Sequence, residues 1–231
     1  MHLEDLPTGA RVISGHFAFS TLRRSAPAAR IFTILREPLC RLLSHWVYWR
    51  QYTEEELLPY GLWADRTREA RRPLAEFLRS PTVACQTDNI VVRMLLWPHH
   101  LLPADGFIKS AHDGELITEA RMRLDEMFHV DTFENPNLVG GLEGLIGRSI
   151  EYRRVNETRA PTHEFYCDLD EHLTKEAREL LTLRCRLDLH LWNHAITRAL
   201  PGTSAHVIRE AAIGAGIARY RDLLKGRNAA G

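Results

Sequence analysis

The spacing of apolar and polar positions divides the chain into short β-type runs and longer helical ones. "ARVISGHFAF" (10–19) and "ARIFTIL" (29–35) are rich in β-formers and predict two strands, the first broken at Gly15 and His16. The polar stretch between them (20–30) predicts a short helix or a loop. From Pro38 the period changes. Leu39, Leu42, Leu43, Trp46 and Val47 repeat at helical spacing, and proline suits a first turn because its missing N–H would have no helical partner there. Arg41, Ser44, His45 and Tyr48 fall on or beside the other face.

Residues 53–80 predict helical pieces broken at Pro59 and Pro73. "DNIVVRMLLW" (88–97) is apolar and fits either element type. Residues 114–128 place Leu116, Ile117, Ala120, Leu124 and Met127 on one helix face. A short strand is expected over 129–135, then a glycine-bearing helix over 137–149. A long helix is expected over 174–200, with Asp170 or Thr174 as its cap, and a last helix after Pro201. With no repeat or low-complexity linker, residues 1–231 read as one α/β domain in which strands alternate with helices.

Charge narrows the classes. Lys+Arg and Asp+Glu are 30 each, so a generic nucleic-acid binder, usually basic overall, is disfavoured. No run approaches the roughly 20 apolar residues of a membrane span, and the acidic N-terminus has no signal-peptide pattern. Cys40, Cys85, Cys167 and Cys185 are far apart and form no CxxC, so free thiols are expected. These features read as a cytoplasmic protein without nucleic-acid or membrane partners.

The chemistry concentrates where 29–35 hands over to the helix at Pro38. Ligands of open α/β sheets bind beyond the carboxyl ends of the strands. His16 and Arg36 would both end strands and share that edge. The helix start offers backbone N–H groups and a positive dipole end to an anion. Arg36 adds a fork of donors and Ser44 a hydroxyl. Together they describe a phosphate clamp. Elsewhere the chemistry is plainer. His190 and His194 lie at i, i+4, but "HLWNH" lacks the glutamate of a metalloprotease site, so no metal site is expected. The run "RTREARR" (66–72) reads first as a solvated helix face, and Trp46 as a core residue; Trp49 and Trp63 could stack on a sugar ring.

Phe32, Thr33, Leu35, Arg36, Pro38, Arg41 and Ser44 form a pattern, F-T-x-L-R-x-P-x-x-R-x-x-S. It resembles the 3′-phosphate segment of sulfotransferases that use 3′-phosphoadenosine 5′-phosphosulfate, in particular bacterial relatives of the heparan-sulfate and chondroitin O-sulfotransferases. The resemblance covers about residues 10–200 and leaves 201–231 as a helical tail. It implies a P-loop-NTPase-like fold, a central mostly parallel sheet flanked by helices. The family's first strand and its Gly-rich 5′-phosphosulfate loop have no counterpart in this sequence.

The resemblance implies His16, in "VISGHF", as general base, and Arg36 and Ser44 as ligands of the cofactor's 3′-phosphate. It implies Arg154, Asn156 and Thr158, in "RRVNETR", as further cofactor contacts, and Asn89 and Arg93 as acceptor contacts. The implied activity is sulfuryl transfer to a hydroxyl of a carbohydrate or other acceptor. The alternative is a catalytically impaired relative that keeps the scaffold, or the site for adenosine 3′,5′-bisphosphate, as a binding or partner protein. An unfilled strand position would leave a sheet edge for a second copy to cover.

Overall fold

The computed structural model describes residues 12–151 and 158–226. Helix α1 (Phe19–Ser25) leads into strand β1 (Phe32–Leu35), and Pro38 then opens α2 (Pro38–Arg50). Short helices follow: α3 (Glu54–Leu57), α4 (Leu62–Arg68), α5 (Leu74–Arg79), α6 (Ala84–Thr87) and α7 (Ile90–Leu96). Next come α8 (Asp113–Asp125), strand β2 (His129–Thr132) and α9 (Leu138–Ile146). The chain closes with α10 (Leu169–His172), the long α11 (Lys175–Ala199) and α12 (Ala205–Leu224). The molecule is mostly helical, with one small parallel sheet.

The sheet pairs β1 with β2 in parallel, Phe32 opposite His129 through Leu35 opposite Thr132. This corrects the expectation of a larger central sheet: among the described residues it has two strands. Residues 12–18 form no strand. Their β-formers find no ladder, and Val12 and Ile13 stay exposed, as expected where β-propensity reflects packing against neighbours more than backbone preference. The run 88–97 resolves as α7. Phe128 N–H donates to Ile31 C=O and Phe133 N–H to Leu35 C=O. Odd residues of β1 therefore face β2 and even residues face outward, where no strand pairs among the described residues.

Two apolar clusters hold the elements. One joins the sheet to α7, α8 and the C-terminal half of α11 through Leu35, Val130, Leu116, Leu124, Leu191 and Trp192. The other joins α2, α5, the N-terminal half of α11 and α12 through Leu43, Trp46, Phe77, Leu181, Tyr220 and Leu224. Each fully buried large side chain contributes about 1.5–3 kcal/mol. Thr174 caps α11, accepting from Ala177 N–H at 3.1 Å. No helix among the described residues is long and apolar enough to cross a membrane.

Candidate functional site

The turn from β1 into α2 is built by Glu37. Its side chain is fully buried, and Oε2 accepts from Cys40 N–H at 2.7 Å, capping α2. Arg209 Nε of α12 donates to Oε1 at 3.2 Å. The N–H of Glu37 donates to Glu134 Oε1 at 2.8 Å, and Trp192 Nε1 donates to Glu134 Oε2 at 3.0 Å. The positive end of α2 is therefore already balanced by protein carboxylates. This corrects the expectation of a helix start open to an anionic guest.

Arg36 turns toward α12. Its Nη2 donates to the Tyr220 hydroxyl at 3.1 Å, and its guanidinium lies 5.5 Å from the centroid of the Phe133 ring. The contacts of Glu37 with Arg209, and of Cys40 Sγ with Ala212 C=O at 3.2 Å, set α12 along α2 and bring Tyr220 to this place. Ser44 is half-buried one turn beyond Cys40. Arg36 uses one of five N–H donors on Tyr220, so its fork keeps donors for a phosphate.

The less expected group is the i, i+4 pair Arg41 and His45. Nε and Nη2 of Arg41 and Nε2 of His45 are closed off from solvent and have no hydrogen-bond partner. Burial lowers the pKa of Arg41, and the Arg36 charge lowers it further; Asp188 and Cys185 of α11 act the other way. Asp188 does not pair with it directly, because its oxygens accept the N–H groups of Val91 and Val92, each at 3.1 Å. Desolvation, then Arg41, then His16 push His45 down to about 3, so its imidazole is neutral at pH 7. The ring packs on Trp49, with centroids 4.1 Å apart. Each orphaned buried donor costs roughly 1–3 kcal/mol. Such a cost calls for a compensating partner, such as an ordered water or a bound ion. The spacing puts Arg41 and His45 on or beside the polar face of α2 and gives them no role, whereas the structure closes their nitrogens off from solvent. The R-x-x-x-H spacing was the available signal.

His16 is exposed and near enough to His45 to disfavour its protonation. It thus joins the Arg41 side of α2, although from an irregular segment rather than a strand end. Asn89 and Arg93 go elsewhere. Asn89 adopts the left-handed conformation, φ 50°, at the start of α7. Its Oδ1 accepts Leu187 N–H at 2.8 Å, and its own N–H donates to Arg184 C=O at 2.7 Å. Arg93 donates to Asp88 C=O and Oδ2, Pro103 C=O and Gly106 C=O. Both are buried, and all three guanidinium nitrogens of Arg93 are engaged, which leaves neither residue facing an acceptor.

Thr158 precedes Arg159, whose N–H donates to Gln51 Oε1 at 2.8 Å, at the far end of α2. At 1.5 Å per residue that is roughly 20 Å from Arg36, so the structure does not bring Thr158 to the clamp. Arg154 and Asn156 lie outside the described residues. The basic run is a paired face: Arg68 and Arg71 meet Glu54, Arg66 meets Asp105, and Arg72 meets Glu69. Trp46 is buried as expected, and Trp63 lies at the surface under Arg66. His194 pairs with Asp125 at 2.8 Å. A separate polar recess of about 340 Å³ opens beside β2, lined by His129, Asp131, Asn135, Asn137 and Arg198; Asp131 there is held by Asn135 and the N–H of Thr132.

The joined picture is a cationic face on α2, directly after β1, with Arg36 held toward α12 and Arg41, His45 and His16 on the other flank. Comparison with family models, with curated proteins and with solved structures finds no match for this chain.

Proposed function

We propose that this chain is a sulfotransferase-like protein with a P-loop-NTPase-like ancestry of fold, and that α2 holds the 3′-phosphate of 3′-phosphoadenosine 5′-phosphosulfate. The observation that carries the reading is that Arg36, in the same segment as Ser44, spends one guanidinium N–H on the Tyr220 hydroxyl and keeps the rest of its fork for a phosphate. Arg36 supplies a planar fork and Ser44 a hydroxyl. His16, exposed beside this face, takes the proton of an acceptor hydroxyl. The acceptor oxygen bonds to sulfur as the bond from sulfur to the bridging oxygen breaks, and adenosine 3′,5′-bisphosphate leaves. General-base help of this kind contributes about 10²–10⁴-fold. The acceptor class is a hydroxylated molecule such as a glycan.

A second reading, a binding or partner protein without transfer, is favoured by Glu37 and Glu134. Their carboxylates stand at the start of α2, where a polyanionic cofactor would meet like charge. Calorimetry with adenosine 3′,5′-bisphosphate and transfer of labelled sulfate to a glycan panel separate the two. Binding that weakens about tenfold or more in Arg36→Ala, the loss of a charge-assisted contact, together with transfer, supports the enzyme. Binding without transfer supports the second reading as a nucleotide-binding protein; no nucleotide binding rejects the enzyme and leaves the second reading as a partner protein that keeps only the scaffold.

A further inference from the structure

We infer that Arg41 and His45 form a site for a tetrahedral dianion, sulfate or phosphate, and that His45 takes up a proton when the ion binds. The inference goes beyond the nucleotide reading, because the recognised chemistry is the oxyanion itself, free or at the end of a larger molecule.

Three nitrogens on residues one turn apart in α2 are buried without a partner: Nε and Nη2 of Arg41 and Nε2 of His45. Residues four apart on a helix are neighbours on its surface, so one small ion reaches both. Nitrogen donors of this kind suit oxyanion geometry. The flank is distinct from that of Arg36, whose Nη2 is bonded to Tyr220.

The charge balance explains the proton. Facing the pair are Arg36 before α2, His16 from the segment before α1, and Asp188 and Cys185 from α11. Asp188 offsets part of Arg41's charge without touching it, its oxygens being held by the amides of Val91 and Val92. Before an ion binds, burial and the charge of Arg41 keep the imidazole neutral. A dianion reverses the sign of that local field and favours imidazolium, which supplies the second positive charge the ion needs.

The test titrates the full chain with sodium sulfate, chosen because sulfate stays a dianion near neutral pH and any proton taken up must come to the protein. Calorimetry in buffers of different ionisation enthalpy counts the protons. The expected result is binding with uptake approaching about one proton near pH 6, and affinity that falls by up to about tenfold per pH unit between the free-state and bound-state pKa values and levels off above the latter. His45→Gln keeps a donor and should bind with no uptake and a flat pH profile. His16→Gln should leave uptake in place. The ring signals of His45 in the wild-type protein should move to imidazolium positions on adding sulfate, a readout that needs no variant. Arg41→Met should weaken binding more than tenfold.

Sulfate binding without proton uptake overturns the inference, as does uptake that persists in His45→Gln or disappears in His16→Gln. A failure of any sulfate to bind overturns it as well. Adenosine 3′,5′-bisphosphate that displaces sulfate identifies a nucleotide as the source of the ion. Sulfate that binds where the nucleotide does not leaves this inference standing and rejects the nucleotide reading.

Discussion

His45 is a base kept uncharged by its surroundings, held at about 3 by burial and by Arg41 and His16. The unfolded chain protonates this residue near its ordinary 6.5, so acid favours unfolding. The contribution of neutral His45 is complete above pH 6.5 and is lost as pH falls toward 3. Between pH 7 and pH 5 the loss amounts to about 2 kcal/mol, at about 1.4 kcal/mol per pH unit. Asp188 has the opposite slope. Desolvation raises its carboxyl from 3.8 to about 6, so its charge costs stability above pH 6 and that cost is relieved on acidification toward pH 4. Comparing wild type with His45→Gln isolates the histidine. Urea unfolding should show wild type losing about 2 kcal/mol more than the variant between pH 7 and pH 5; equal losses would mean that the ring is solvated.

Among the elements, α7 and α11 depend on each other. Asn89 supplies its Oδ1 to Leu187 N–H, and Asp188 supplies its oxygens to the N–H groups opening α7. Asn89→Gly keeps the left-handed backbone but loses the acceptor. Asn89→Ala loses both, so it should unfold at lower urea than the glycine variant, with a gap of about 1 kcal/mol. This exchange also explains what sequence could and could not tell. The periods of 114–128 and 174–200, and Thr174 as a cap, are local signals, and α8, β2, α9 and α11 follow them. The type of 88–97 was not legible, because its ends are finished by residues about a hundred positions away. Residues 12–18 carry a strand's composition but find no strand to pair with among the described residues. At the site, the cationic side chains of α2 were legible from spacing. The turn of Arg36 toward Tyr220 depends on α12, 184 positions on. The cap by Glu37 went unread because glutamate is not among the strong N-cap residues.

Across the whole molecule, α11 is the shared wall of both apolar clusters. Its 25 residues run about 37 Å, with Leu181 in one cluster and Trp192 in the other. Leu181→Ala should cost about 2–5 kcal/mol and Trp192→Ala about 3–5 kcal/mol. Because one helix carries both clusters, each change should shift a single transition that fluorescence and circular dichroism report together; two separated transitions would show that the clusters melt independently. The splice between Asn89 and Leu187 spans 98 positions. The middle turn of α11 is thereby latched from outside the helix: one asparagine from the other half of the sequence accepts the N–H of Leu187 and donates its own N–H to the carbonyl of Arg184, seated in the wall that both clusters share.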